Sequence, residues 1–229
     1  MRRIAALIRH GDYHQRSGAP SAHQPYPLNT AGREHAHQAA KEVQATLLQH
    51  NWQLAPVIDS SRMLRGWQTA QIIAETLVTP EASVDSFDAL AERGMGCLAN
   101  LSVTEIEKIL QQDPRYPEAP SDWKSNSHYC LPLQGAESLM QAGERVANHL
   151  RERMAGLPAN VSVDQLKLFV GHGAAFRHAA HHLGVLAFEQ IAALSMYHGR
   201  PVFLENLPDG SWQQIAGDWK VRGGDAYTD

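Results

Sequence analysis

Two short apolar stretches, Ile4 to Ile8 and Leu166 to Val170, each run straight into a histidine beside glycine, in LIRHG and LFVGHG. A strand apolar on both faces must be covered on both, which is the situation of a central strand in a parallel sheet packed between helices. If the two are parallel strands of one sheet, Arg9-His10-Gly11 and Gly171-His172-Gly173 leave it at the same carboxyl edge. Open α/β sheets bind their ligands at that edge.

The segments around these stretches alternate in the same way. Thr30 to about His50 carries alanines and leucines at helical spacing behind a capping threonine, with Glu34 near its start. Pro56 to Ser61 reads as a second strand, Gly66 to Leu77 as a second helix and Val84 to Leu90 as a third strand. Helices are expected over Ala136 to Met154 and Ala174 to Leu183. Val202 to Glu205 and Ser211 to Ile215 flank the turn Pro208-Asp209-Gly210, a hairpin at the sheet edge. This alternation predicts a three-layer α/β/α sandwich with a mostly parallel central sheet and right-handed crossovers. Residues 1–229 are expected to form a single domain with a lid-like insertion at about 93–133. That insertion is broken by prolines, and Tyr116, Trp123 and Tyr129 give it something to pack with. The glycine-rich chain after Gly217 is expected to be loosely held.

Composition excludes several classes of function. The 43% apolar content supplies a sizeable core, and the net charge of −4 comes from scattered residues with no basic block, so no nucleic-acid partner is expected. Cys97 and Cys130 are too few for a disulfide framework, which fits a reducing cytoplasm. The apolar run before Arg9 is too short for a signal peptide or a membrane span. Among the 13 histidines, His178, His181 and His182 share a helix face, but no carboxylate or cysteine with ligand spacing accompanies them. His35 and His37 would diverge on a helix, and no metal is expected at either place.

Two more candidates fall at the predicted carboxyl edge. Arg65 opens the second helix in SSRMLRGWQTA, and Glu92 ends the third strand in LAERGMG. Two histidines, two arginines and a carboxyl group suit phosphoryl transfer. Guanidinium forks match the phosphoryl oxygens, and the chemistry needs mainly positioning and charge stabilisation. A neutral imidazole can attack phosphorus to give a phosphohistidine. A carboxylic acid can protonate the leaving alkoxide and later take a proton from water.

With these residues in order, the chain resembles the histidine phosphatase superfamily, branch 1, the phosphoglycerate mutase-like group. LIRHG is similar to its nucleophile motif, and PLNTAGREHA to its P-L-T-x-x-G-x-x-Q-A segment. SSRMLRGWQTA resembles S-S-P-L-x-R-A-x-Q-T-A, and LAERGMG resembles L-x-E-x-x-x-G. LQGAESLMQAGERV resembles the G-E-S helix start with Ala136 inserted, and LFVGHGAAFRHAA the strand of the second histidine. The resemblance implies the phosphoglycerate mutase-like fold, a phosphorylated His10, a phosphoryl group held by Arg9, Arg65 and His172, and Glu92 as acid and base. It implies no metal or other cofactor. Gly11 and Gly173 flank the two histidines and are grouped with the substrate-binding residues, as are Tyr13 and His14 just beyond the nucleophile. Arg93, with Arg115 and Lys124, could meet a second anionic group, whereas Arg62 reads as a surface residue and Glu137 and Ser138 as helix caps.

The expected reaction is hydrolysis of a phosphomonoester. The alternatives are a phosphoglycerate-type mutase and a phosphoprotein phosphatase of the same superfamily. The mutase reading is weakened because DPRYPEAPSDWKSNSHYCLPLQG replaces an arginine-rich segment, and an asparagine usual after R-H-G is missing. The expected substrate is a small phosphorylated metabolite, with a phosphopeptide as the alternative, and no membrane partner is expected.

Overall fold

The structure, a computed structural model, describes residues 1–77, 82–159 and 161–223. Its elements run β1 (Arg3–Arg9), α1 (Thr30–His50), β2 (Gln53–Leu54), β3 (Val57–Ser61), α2 (Leu64–Thr76) and β4 (Ser83–Phe87). They continue with α3 (Val103–Gln112), α4 (Leu139–Ala155), β5 (Gln165–Gly171), α5 (Gly173–His182) and α6 (Phe188–Ala193). The chain closes with β6 (Leu194–Ser195), β7 (Pro201–Asn206), β8 (Trp212–Ala216) and β9 (Lys220–Val221).

Both faces of β1 are covered, which is why it is apolar throughout. Ile4, Ala6 and Ile8 pack with Ala39, Ala40 and Val43 of α1 and Ala70 and Ile73 of α2. Ala5 and Leu7 pack with Val146 and Leu150 of α4 and Phe176 and Ala179 of α5 on the other side. The result is the expected mixed α/β sandwich. The seven-stranded sheet has the order β4-β3-β5-β1-β7-β8, with β2 paired to the start of β5. The pairs β1–β5, β3–β5 and β3–β4 are parallel, while β7 and β8 close one edge as an antiparallel hairpin.

Register decides the position of the site. Arg3 lies opposite Gln165 and Arg9 opposite Gly171, so β1 and β5 end level with each other. Ser60 lies opposite Val170, and Phe87 opposite Ser61, so β3 and β4 end at the same edge.

Several local expectations change. The N-cap of α1 is Asn29, whose side chain accepts from Gly32 N, rather than Thr30. The third strand stops at Phe87, and Asp88–Leu90 form a single 3₁₀ turn. Ser138 caps α4 in a capping box with Gln141, but Glu137 accepts from Gly94 N and pairs with Arg145 instead of capping. Past Gly217, β9 pairs with β6, and the rest of the tail expected to be loose, 224–229, lies outside the described residues.

The segment over about 93–133 has a small core of its own, with Met95, Leu98, Ile106, Leu110, Trp123 and Leu131 buried against Ala22. In the middle of β3, opposite Phe169 of β5, lies a fully buried carboxylate. Asp59 is held by Lys167 Nζ at 2.6 Å, Arg153 Nε at 2.8 Å and His149 Nε2 at 2.9 Å, joining β3, β5 and α4.

One glycine pair brings the first turn of α1 against the chain after β1. A Cβ on Gly32 would stand 1.8 Å from Asp12 O, and one on Gly11 would stand 2.1 Å from Gly32 O. Backbone occupies both spaces, so neither can yield cheaply. Gly32→Ala is expected to lower stability by about 1–3 kcal/mol, the usual cost of overpacking, read as an earlier midpoint in urea unfolding.

Candidate active site

The ends of β1 and β5 deliver two imidazoles side by side, the His10 and His172 ring centroids being 5.0 Å apart. Their hydrogen bonds set the tautomers. His10 Nδ1 is 2.7 Å from Gly11 O, and a carbonyl only accepts, so Nδ1 carries the proton. Its Nε2 receives Arg65 Nε–H at 3.0 Å and therefore presents a lone pair. His172 accepts from Arg65 Nη2 at Nδ1, 3.2 Å, so its Nε2–H faces Ser61 Oγ at 2.9 Å.

Burial, followed by the positive charge of Arg65, pushes both histidines well below their ordinary 6.5. They are neutral at physiological pH. Burial also lowers Arg65, to about 10, and it keeps its charge. The Arg65 guanidinium is 1% exposed and lies 4.4 Å above the Tyr13 ring. It donates Nη1–H to Gln24 O at 2.9 Å and Nη2–H to the carbonyls of Ser21 and Ala22 at 3.0 and 2.7 Å.

Glu92 lies at the start of α5. Its carboxyl oxygens accept from Arg93 N at 2.9 Å, Ala175 N at 3.1 Å and Ala174 N at 3.2 Å, which fixes them at the first turn of the helix. Gly173 lets Arg9 lie along the same turn, since a Cβ on it would be 3.2 Å from Arg9 Cδ. Arg9 Nη1 donates to Met196 O at 3.0 Å.

The sequence candidates are thus largely brought together, with differences among the outer ones. Tyr13 borders His10 edge-on at 5.4 Å, but it is buried and spends its hydroxyl on Ser21 O. Its role here is packing beneath Arg65. His14 is exposed, and its N donates to Pro27 O. Glu92, Arg93 and Lys124 line a cavity of ≈ 900 Å³, together with Arg16, Ser21 and Met95. Arg115 is tied to Asp113 and Arg62 to Asp88, both at the surface.

His178, His181 and His182 bond to Ala174 O, Leu186 O and Met140 O respectively. Among the described residues no group of three His, Cys, Asp or Glu side chains comes together as metal ligands would.

Sequence reasoning missed several supporting residues. Thr69 Oγ1 receives Gly11 N–H at 3.0 Å and donates to Arg65 O, and Gln68 Oε1 receives Leu28 N–H. Thr69 stands four residues after Arg65 on one helix, a spacing that could have paired them. His23 Nε2 meets Glu92 O at 3.0 Å, and His198 Nδ1 meets His10 O at 2.6 Å, neither with a local sequence signal.

The sequence profile described as the histidine phosphatase superfamily (branch 1) matches residues 5–210. The chain belongs to that superfamily and is an enzyme of its type. A 2,3-bisphosphoglycerate-dependent phosphoglycerate mutase of Parvibaculum lavamentivorans is 26% identical over 207 residues, covering 90% of this chain and 91% of its own. The fold is shared with a mycobacterial glucosyl-3-phosphoglycerate phosphatase, with TM-score 0.69, 20% identity, and 97% of this chain and 100% of that one covered. It is also shared with Bacillus stearothermophilus YhfR, with TM-score 0.69, 17% identity, and 92% and 94% covered. No described helix is long and apolar enough to cross a membrane.

Depressed histidines have a measurable consequence. The unfolded chain takes up protons near pH 6.5 at positions where the folded one does not, so stability falls as pH drops below that value. In ¹⁵N NMR spectra His10 is expected to keep the shifts of a neutral Nδ1–H ring as the pH is lowered through the range where a free histidine titrates. An imidazolium pattern for His10 at pH 6 would contradict the buried arrangement.

Proposed function

We propose that the protein hydrolyses small phosphomonoesters through a phosphohistidine on His10. The observation carrying this reading is the tautomer of His10: Nδ1–H is committed to Gly11 O, so Nε2 keeps a lone pair, which accepts Arg65 Nε–H at rest and is released to phosphorus when the phosphoryl oxygens take over that donor. The resting ring needs no deprotonation before it attacks.

In the first half of the reaction Nε2 forms a bond to phosphorus as the ester oxygen leaves. Arg9 and Arg65 offer N–H donors to the transferring oxygens, His172 joins them from Nδ1 once its proton shifts there from the Nε2 bonded to Ser61 Oγ, and charge stabilisation is the main contribution to rate. The phosphoryl oxygens compete with the Ser21 and Ala22 carbonyls for Arg65 Nη2–H. Protonated Glu92 gives its proton to the leaving alkoxide. As a carboxylate it then removes one from water, whose oxygen attacks phosphorus and breaks the N–P bond, which restores neutral His10 and protonated Glu92. The water, the ester and one proton cycle account for all atoms and charges.

The ≈ 900 Å³ cavity between 15–22 and the 93–127 part of the insertion is where the rest of the substrate would lie, which supports reading 93–133 as the selecting lid. Arg93, buried and stacked 5.9 Å from Trp123, and Lys124 suit an anionic metabolite there. Free Cys97 and Cys130 agree with a cytoplasmic setting. The mutase relative keeps phosphoryl return to an acceptor as a second reading, and the two differ by release of free phosphate.

An aryl phosphate assay with chelator present tests the reading. His10→Ala is expected to abolish phosphate release and acid-labile phosphoenzyme, and Arg65→Ala to slow turnover on the order of 10²-fold or more. Undiminished release by His10→Ala would remove His10 as nucleophile. Transfer between substrate and product without free phosphate would favour the mutase.

A further inference from the structure

The chain immediately before β7 grips the nucleophile dipeptide at several points. Met196 O accepts from the Arg9 side chain at 3.0 Å, Gly199 N donates to Arg9 O at 2.9 Å, and His198 Nδ1 lies 2.6 Å from His10 O. The last of these bonds reaches the backbone of the residue proposed to attack phosphorus. His10 O is an acceptor, so His198 Nδ1 carries the proton.

Three features hold the His198 ring in place. It stacks on His35 with centroids 5.6 Å apart and planes 7° from parallel. Its centroid is 5.4 Å from that of His10. Gly199 has φ +68°, and a Cβ there would stand 2.3 Å from His35 O, so the turn that presents His198 demands glycine. Burial and the neighbouring Arg9 push His198 down to about 4, so the ring is neutral and brings no competing charge to the phosphoryl site.

The nucleophile's other anchors hold groups other than its carbonyl oxygen, which is the part His198 secures. His10 N is fixed by Gly171 O at 2.9 Å, and its ring by Gly11 O at 2.7 Å. The N–H side of the His10–Gly11 peptide is held by Thr69 Oγ1 at 3.0 Å, and its carbonyl oxygen is the atom His198 holds. Gly11 O belongs to the next peptide, joined at the Gly11 Cα, so turning the His10–Gly11 peptide would displace it, and with it the acceptor that sets the His10 tautomer. The path from His198 to Nε2 therefore runs through two hydrogen bonds and two consecutive peptide planes joined at Gly11.

We infer that His198 is a positioning residue, whose Nδ1–H fixes the His10–Gly11 peptide and through it the attacking orientation of the His10 ring. This rests on the phosphohistidine reading above. Small displacements of a reacting group are expensive in rate, and the effect should fall on the chemical step more than on substrate binding.

The test compares His198→Phe, which keeps an aromatic ring against His35 but has no donor, with His198→Asn, whose amide nitrogen can occupy the place of Nδ1. Phosphohistidine formation is followed by rapid quench with an aryl phosphate, beside steady-state kcat and KM. His198→Phe is expected to lower the phosphorylation rate and kcat on the order of 10-fold with KM changed less than about two-fold, and His198→Asn to recover most of the loss. Equal kinetics for His198→Phe and wild type, or equal impairment of the Phe and Asn variants, would overturn the assignment. If the Phe variant does not fold, His198→Ser, too short to reach the carbonyl, is compared with Asn under the same criteria. His10→Ala in the same assay separates the two ideas: full activity there removes the phosphohistidine reading itself, whatever His198 does.

Discussion

The parallel pairing of β1 with β5 is the constraint on which the site depends. Because Arg9 lies level with Gly171, the next residue of each chain segment is a histidine, and His10 N closes the ladder on Gly171 O at 2.9 Å. A slip of one residue would turn every side chain of β1 to the other face and expose Ile4, Ile8 or Leu7 to the wrong core. The two faces of β1 are filled by different helix pairs, so such a slip would unseat both layers at once. Register, burial and the neutral state of the imidazoles are in this sense one property. The same apolar layers that fix the register also desolvate His10 and His172 and push them below their ordinary values.

Several motif residues that resemble a catalytic signature turn out to be packing and wiring. Gly32 is there because Asp12 O occupies the space of its missing side chain. Gln68 ties the chain before α1 to α2 through Leu28 N, and Thr69 ties α2 to the nucleophile loop through Gly11 N. These bonds span large sequence separations but short distances in space. They make the loop after β1 a shared product of α1, α2 and the sheet, so its geometry is not set by its own few residues.

The sheet, the main helices and the edge hairpin were legible because they rest on periodicity and burial, which a single sequence displays. The candidate set His10, Arg65, Glu92 and His172 was legible because each residue follows a strand that such a pattern reveals. The supporting shell was not. His198 reaches His10 O through a tight turn set by Gly199, and nothing within a few residues of His198 announces that contact. His23 acts on Glu92 O from a loop without period. The N-cap of α1 was misplaced by one residue because Asn29 and Thr30 both carry capping side chains, and only the bond of Asn29 Oδ1 to Gly32 N distinguishes them.

Arg65 shows why this site uses arginine where a lysine would carry the same charge. A buried cation is costly unless its donors are satisfied, and an ammonium offers three donors from one point. The guanidinium at residue 65 reaches in three directions at once: Nε to His10, Nη1 to Gln24 O, and Nη2 to the Ser21 and Ala22 carbonyls and His172. Those carbonyls belong to a segment that also walls the large cavity, where Ser21 and Ala22 both contribute. Whatever changes the Nη2 partners must therefore act on that wall as well. Charge stabilisation at the buried end and the shape of the open end are coupled through a single planar side chain, and replacing it by lysine would keep the charge while cutting that link.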